Sequence, residues 1–456
     1  MIRIGTVNLK KRFLGASEVL ISYLGNSVIF KSITKYVSEY SARVLADGGT
    51  VEALTSVTTL AQNLRNDDLF ERVTLAIFPS GVKAGKAYSL VPDNGIGDSD
   101  LVRNTTATRV NSLGLIETVA ANVPRIVYTS GEPAILVESQ RTNLFNYSEQ
   151  FDNSYWNKVG NTIVNNATTS PSGLIVAEKF IASTGTTDKI IRAGTTITIG
   201  TNYTFSCYAK KSEFNFFMIR RIGSVIDTYF NLNTGTLGTV GSGVVAKIED
   251  AGNGWFRCIA NFTPTSGSVV ELALASVNNV NTVTGDGTSG IFIWGAQLEV
   301  GANASSYIPT VGSAVTRNQD LISKTGIGDL IGQSEGVFFA HIKNTENNIN
   351  NSSIALTSQV SSNSNRIFFR MDSQNRVRVL FQINSSIQYD TTQVLPDPFN
   401  FTKIALKYQN NNFKLFLNGA LVNSNTTGQT FNSNVLNSLA FNDGVANPFE
   451  GSCKQI

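Results

Sequence analysis

The sequence predicts a mainly β protein, with tandem β-sandwiches of jelly-roll or lectin-like type following a small α+β N-terminal region. Three observations predict it. From Thr74 onward, β-rich runs are interrupted by Gly, Asn, Asp and Ser clusters at about the 8–12-residue spacing of sandwich strands. Helical periodicity is confined to residues 32–73. Charged residues make up only 15% of the chain, so its polarity comes from Asn, Ser, Thr and 38 Gly, a composition that suits neutral hydrogen-bonding surfaces. A length of 456 residues corresponds to about three domains.

The elements follow in order. Ile4-Gly5-Thr6-Val7, Leu14-Gly15-Ala16-Ser17-Glu18-Val19 and Leu24-Gly25-Asn26-Ser27-Val28 form a short repeat. Each unit reads as a glycine turn and a brief strand, as in Val19-Leu20-Ile21 and Val28-Ile29-Phe30. A sheet this small cannot bury both faces alone, so it packs on the next segment or docks on a partner. Tyr36, Tyr40 and Val44 share one helical face, and Gly48-Gly49 stops that helix. Thr50 is the expected N-cap of a second helix carrying Leu54, Val57, Leu60, Ala61 and Leu64, and Asp67 that of a third running to Val73. Expected strands include Tyr203–Tyr208, Trp255–Ile259 and Ile291–Trp294. A polar gap around Ser313–Gln333 precedes a second set at Gly336–Ile342, Arg366–Met371, Arg376–Ile383, Phe401–Tyr408 and Phe413–Leu417. Gln409-Asn410-Asn411-Asn412 marks a hairpin turn between the last two.

Several function classes lose support. The net charge of +3 lacks the electrostatic footprint of phosphate-backbone binding, so no nucleic-acid partner is expected. A single histidine, His341, excludes HExxH and His-rich metal centres. Cys207, Cys258 and Cys453 are too few for a disulfide scaffold, and the first two lie in apolar alternating runs as small buried hydrophobes. No run of 18 apolar residues occurs, so no membrane insertion is expected. Lys10-Lys11-Arg12 opens like a signal peptide, but Glu18, Ser22, Gly25 and Asn26 interrupt the run that follows. Gly81-Val82-Lys83-Ala84-Gly85-Lys86-Ala87 fails as a phosphate loop in both its spacing and its final residue.

The acidic, glycine-rich stretches 93–100 and 285–290 read first as surface turns; Asp98, Asp100 and Asp286 are the candidates if either holds Ca2+. No other cofactor is expected, and no catalytic residue stands out, since no local pair of carboxylates marks a glycosidase. Aromatic residues are the stronger binding candidates. Strand alternation puts Tyr203, Phe205 and Cys207 on one face with Tyr208 on the other. It likewise separates Phe256, Cys258, Ala260 and Phe262 from Trp255, Arg257 and Asn261. The second face either packs, as Trp255 and Trp294 suit, or presents Trp255, Tyr208 and Arg257 to a sugar ring.

The middle of the chain carries an ordered series of motifs, from Arg103-Asn104-Thr105-Thr106-Ala107-Thr108-Arg109-Val110-Asn111 through Glu138-Ser139-Gln140-Arg141-Thr142-Asn143-Leu144 and Gly252-Asn253-Gly254-Trp255-Phe256-Arg257-Cys258. The series closes at Trp294-Gly295-Ala296-Gln297-Leu298-Glu299 and Ser306-Tyr307-Ile308-Pro309-Thr310. In these motifs the chain resembles a group of bacteriophage tail-fibre and virion-decoration proteins. The resemblance implies a virion-attachment region over 1–75, a β-rich connector over 76–141, and a carbohydrate-binding-module-like sandwich over 142–318. Residues 330–456 then resemble a concanavalin or laminin-G-like sandwich, whose Phe413–Gly419 turn matches the group's strand ending in Asn-Gly. Relatives continue past Gly451–Ile456, so this sandwich is expected to lack its last strand and expose an edge.

The function so implied is that of a non-enzymatic structural protein on the exterior of a phage particle: a tail fibre, head fibre or spike that adsorbs to host-surface polysaccharide. Its partners would be other virion proteins through the N-terminal region, and further copies of itself in a homotrimer or symmetric ring. A purely structural collar, neck or decoration role, or a glycan depolymerase, are the alternatives.

Overall fold

The computed structural model describes residues 2–4, 7–14, 17–24, 27–28, 33–66, 72–128, 131–187, 189–193, 195–221, 227–265, 269–344, 351–359, 363–372, 374–397, 399–444 and 446–456, with side chains from Tyr36 onward except at 64–66 and 221. Strands dominate, as expected, and form two sandwiches behind a small α+β region. No helix among the described residues is long and apolar enough to cross a membrane.

The N-terminal repeat folds into a four-stranded antiparallel sheet of Ile2–Ile4, Val7–Leu14, Ser17–Leu24 and Ser27–Val28. Its glycine turns lie outside the described residues. Helix Ile33–Ala46 buries Tyr36, Tyr40 and Val44, and helix Leu54–Asn66 buries Val57 and Ala61 on the same small core. Thr50 is not an N-cap. With Val51 it forms a strand pairing with Gly81–Val82, and the second helix starts after Ala53, whose φ of 51° breaks the chain direction. The expected third helix lies mostly outside the described residues.

One sandwich is a pair of six-stranded sheets between residues 157 and 300. Its inner sheet faces meet through Phe145, Phe180, Phe205, Cys207, Phe217, Cys258 and Leu272, all fully buried. The alternation read from the sequence holds: Tyr203, Phe205 and Cys207 face this core beside Cys258, Ala260 and Phe262, while Tyr208 and Trp255 belong to a cluster on the other face. Cys207 and Cys258 are cross-strand neighbours and free thiols, each pushed up by burial.

The other sandwich is discontinuous in sequence. Its seven-stranded sheet runs Arg125–Val127, Ala134–Val137, Gly451–Gln455, Glu335–Asn344, Thr402–Gln409, Asn412–Leu417, Ala420–Asn425. The facing ten-stranded sheet continues from Ser386–Val394 through Ser438–Ala440 and Leu321–Thr325 to Ser99–Val102, Lys86–Val91, Ala76–Lys83 and Thr50–Val51. Thus the stretch read as a connector, 76–141, supplies strands to both sheets. The expected open edge is also filled, because Gly451–Gln455 pairs with Ala134–Val137 on one side and Glu335–Asn344 on the other. The polar gap contains two strands, Val315–Arg317 and Leu321–Thr325. Their polar side chains meet partners inside the protein, so low hydrophobicity there marks no linker.

The first sandwich is therefore an insertion in the second. Its entry and exit, Arg141–Asn143 and Val315–Arg317, are antiparallel neighbours. Directly beneath them lies a buried charge network. Arg103 donates to Asp320 at 2.8 Å, and Arg125 donates to Glu138 at 2.6 Å and also to Asp320. Arg317 lies 3.3 Å from Glu138, whose second oxygen accepts from the Ser306 backbone N–H at 2.8 Å. Burial pushes the Glu138 carboxyl up, but Arg317, Arg125 and Ser306 hold it well below the usual carboxylate range. Removing one partner from such a network is strongly destabilising because it strands the remaining buried charge.

Candidate functional site

The base of the insertion is bordered by a cleft of ≈ 650 Å³. Its volume falls within the roughly 300–1,000 Å³ of ligand clefts. One wall is the outer face of the inserted sandwich. Alternation along Val244–Asp250 and Trp255–Phe262 brings Val245, Lys247 and Glu249 to that wall, and Arg257, Ile259 and Asn261 beside them. The opposing lining comes from the Ala107–Val110 and Ile116–Val119 hairpin and from the second sandwich at Lys343, Asn344, Gly451 and Ser452. Loop residues 302–307 form a third side.

Register explains how the predicted residues meet. Trp294, Tyr208, Arg257 and Glu249 are successive cross-strand neighbours, so they form one row across four strands. The row divides by depth. Trp294, Tyr208 and Trp255 pack with Ile116, Ala177 and Tyr307, the Trp294 and Tyr307 rings 4.6 Å apart. Trp255 is 1% exposed and its indole N–H donates to the Thr169 carbonyl at 3.0 Å. No ring face is left for a sugar, and Trp255 does not line the cleft. Tyr208 and Arg257 do line it. The structure therefore brings two of the three aromatic-face candidates to one cavity and places the third in packing.

Arg257 is held in an unusual way. It is 8% exposed, its guanidinium lies 5.5 Å from the Tyr208 ring centroid, and one terminal nitrogen donates to Ser206 Oγ at 3.0 Å. Among the described residues its Nε, like those of Arg43, Arg125 and Arg317, has no partner. Glu249, although its register neighbour, pairs instead with Lys247 at 2.7 Å. Burial pulls the guanidinium down, while Tyr208, Glu249, Glu299 and Glu138 raise it further, so the group keeps its charge.

The Ca2+ candidates are accounted for otherwise. Asp98 is buried and bound by Arg43 at 2.7 Å and by the Ser89 N–H at 2.9 Å, tying helix Ile33–Ala46 to the sheet. Asp286 accepts from the Thr288 and Ser289 N–H groups at 2.8 and 2.7 Å, closing its own turn. Those bonds hold its carboxyl well below the usual range. Asp100 is exposed on the strand Ser99–Val102. Among the described residues no group of three or more His, Cys, Asp or Glu side chains is arranged to hold a metal. His341 packs edge-on to Phe401, and burial, with Lys454 and Lys403 nearby, pulls it down to about 4.

Sequence reasoning missed the opposing lining at 107–119, 343–344 and 451–452, because nothing local signals that these segments converge.

No family description matches the chain, and no curated protein matches it. Similar solved structures include the Ruminococcus gnavus IT-sialidase CBM40 domain bound to α2,3-sialyllactose. That comparison has 18% identity and a TM-score of 0.23, and covers 27% of this chain and 74% of the other. The same domain bound to α2,6-sialyllactose matches at 16% identity and TM-score 0.24, over 29% and 82%. Domains LG4-5 of the mouse laminin α1 chain match at 8% identity and TM-score 0.21, over 69% and 87%.

Proposed function

We propose that the protein is a structural component of a bacteriophage virion, a tail fibre, head fibre or spike, that carries two β-sandwiches outward and adsorbs to host-surface glycan. The cleft is the observation that carries the binding half of this reading. It is of ligand size, and its polar groups include Tyr208 and Arg257 from one sandwich and Lys343, Asn344 and Ser452 from the other. The resemblance of residues 103–310 to phage fibre proteins supports the virion half. Attachment through the N-terminal sheet and helices, assembly as a homotrimer or symmetric ring, and a place on the particle's exterior belong to the same proposal. Weak individual contacts would then be multiplied by valency.

Binding of the labelled full chain to a panel of bacteria, before and after periodate oxidation of their surface glycans, tests it. The reading expects binding to some strains and its loss on oxidation. Binding that survives periodate, or a folded chain that binds no strain, would favour a packing role within the particle.

A further inference from the structure

We infer that the ligand of the cleft is an acidic saccharide, whose carboxylate seats on Arg257. The inference rests on the glycan-binding reading and specifies its chemistry.

A guanidinium that is mostly buried is costly unless paired. In the charge network at the base of the insertion that demand is met: Arg103, Arg125 and Arg317 all have carboxylate partners. Among the described residues Arg257 has none at ion-pair distance, its polar contact being the Ser206 hydroxyl. Its neighbours are a serine hydroxyl and the face of a tyrosine ring. Its register neighbour Glu249 pairs with Lys247 instead.

The geometry suits an oxyanion. Guanidinium presents parallel N–H groups that match two oxygens of a carboxylate, as they would those of a phosphate ester, and reduction of carboxylates, which spares phosphate, separates the two. The Tyr208 ring, 5.5 Å away, and the hydrogen bond to Ser206 hold the guanidinium in place, so less freedom remains to be lost on binding. Acceptors for sugar hydroxyls lie along the same lining, where the buried Asn303 Oδ1 has no partner. A neutral sugar could use Asn303 and the Tyr208 hydroxyl, but it would leave the cation unpaired.

The test uses the surface polysaccharide of a strain that the full chain binds, in its native form and after carbodiimide–borohydride reduction of its carboxylates to alcohols. Reduction leaves the linkages, hydroxyls and any phosphate esters in place. The inference expects binding of the native polysaccharide, weakened roughly tenfold or more by reduction and by Arg257→Gln. Arg257→Lys should rescue only partly, since an ammonium cannot pair bidentately. Equal binding of both forms, or a bound polysaccharide without carboxylates, overturns the inference and leaves the glycan reading standing. If no strain's polysaccharide binds at all, both fall. The reduced polysaccharide reports on the unaltered protein, so the result holds even if Arg257→Gln does not fold.

Discussion

At the scale of single residues, the same sheet face carries two kinds of side chain with different consequences. Trp255 is sealed by Ile116, Trp294 and Tyr307 and bonded to the Thr169 carbonyl. Truncating it should therefore act on stability: Trp255→Ala is expected to cost about 3–5 kcal/mol in urea unfolding, as for other buried Trp. Its affinity for surface glycan, measured on the folded fraction, should stay near that of the parent. A glycan-binding loss with unchanged stability would show instead that the indole meets ligand. The alternation separating Trp255, Tyr208 and Arg257 from the core was legible in the sequence, because period two is local. Which of the three would be covered was not. The cover comes from Ile116 and Tyr307, brought there by tertiary folding.

Among the elements, strands rich in β-branched and aromatic residues were readable, and Arg366–Met371 and Arg376–Ile383 have the expected bounds. The Asn410-Asn411 turn joins Thr402–Gln409 to Asn412–Leu417, with Asn411 left-handed at φ 57°. Strands that owe their place to polar partners were missed. Val315–Arg317 and Leu321–Thr325 fall in a stretch that reads as a gap, yet Arg317 and Asp320 belong to the buried network. Gly295 shows why a glycine interrupts the Gly290–Val300 strand. It lies at φ 64° at an irregularity in the pairing with Tyr203–Lys211, and an added Cβ would meet Tyr208 Cδ2 at 3.0 Å and Tyr307 Cε2 at 3.3 Å. Gly295→Ala should destabilise by about 1–3 kcal/mol and, by displacing Tyr208, weaken glycan binding in the folded protein. A variant as stable as the parent would contradict this account of the bulge.

For the whole molecule, the tandem arrangement read from the sequence becomes one sandwich inserted in another. Insertion escapes sequence reading because its evidence is long-range: Ala134–Val137 pairs with Gly451–Gln455, and Arg141–Asn143 with Val315–Arg317. The residues that carried the family resemblance turn out to build this junction. Arg103, Arg125 and Glu138 form its charge network, and Asn143 donates to the Ala296 and Ile308 carbonyls at 3.1 and 2.9 Å. Gln297 accepts from the Ile308 N–H at 2.6 Å. These residues thus fix the geometry of the junction, and the cleft beside it inherits that geometry.

The central claim is that this cleft, with walls from both sandwiches, is where surface glycan binds. Hydrogen–deuterium exchange of the full chain, with and without the polysaccharide of a bound strain, tests it most directly. Slower exchange on binding is expected at 244–261 and 302–307, together with 343–344 and 451–452 on the opposing wall. Protection confined to segments that do not line the cleft, such as the 286–289 turn, with the cleft-lining segments unchanged, would contradict it.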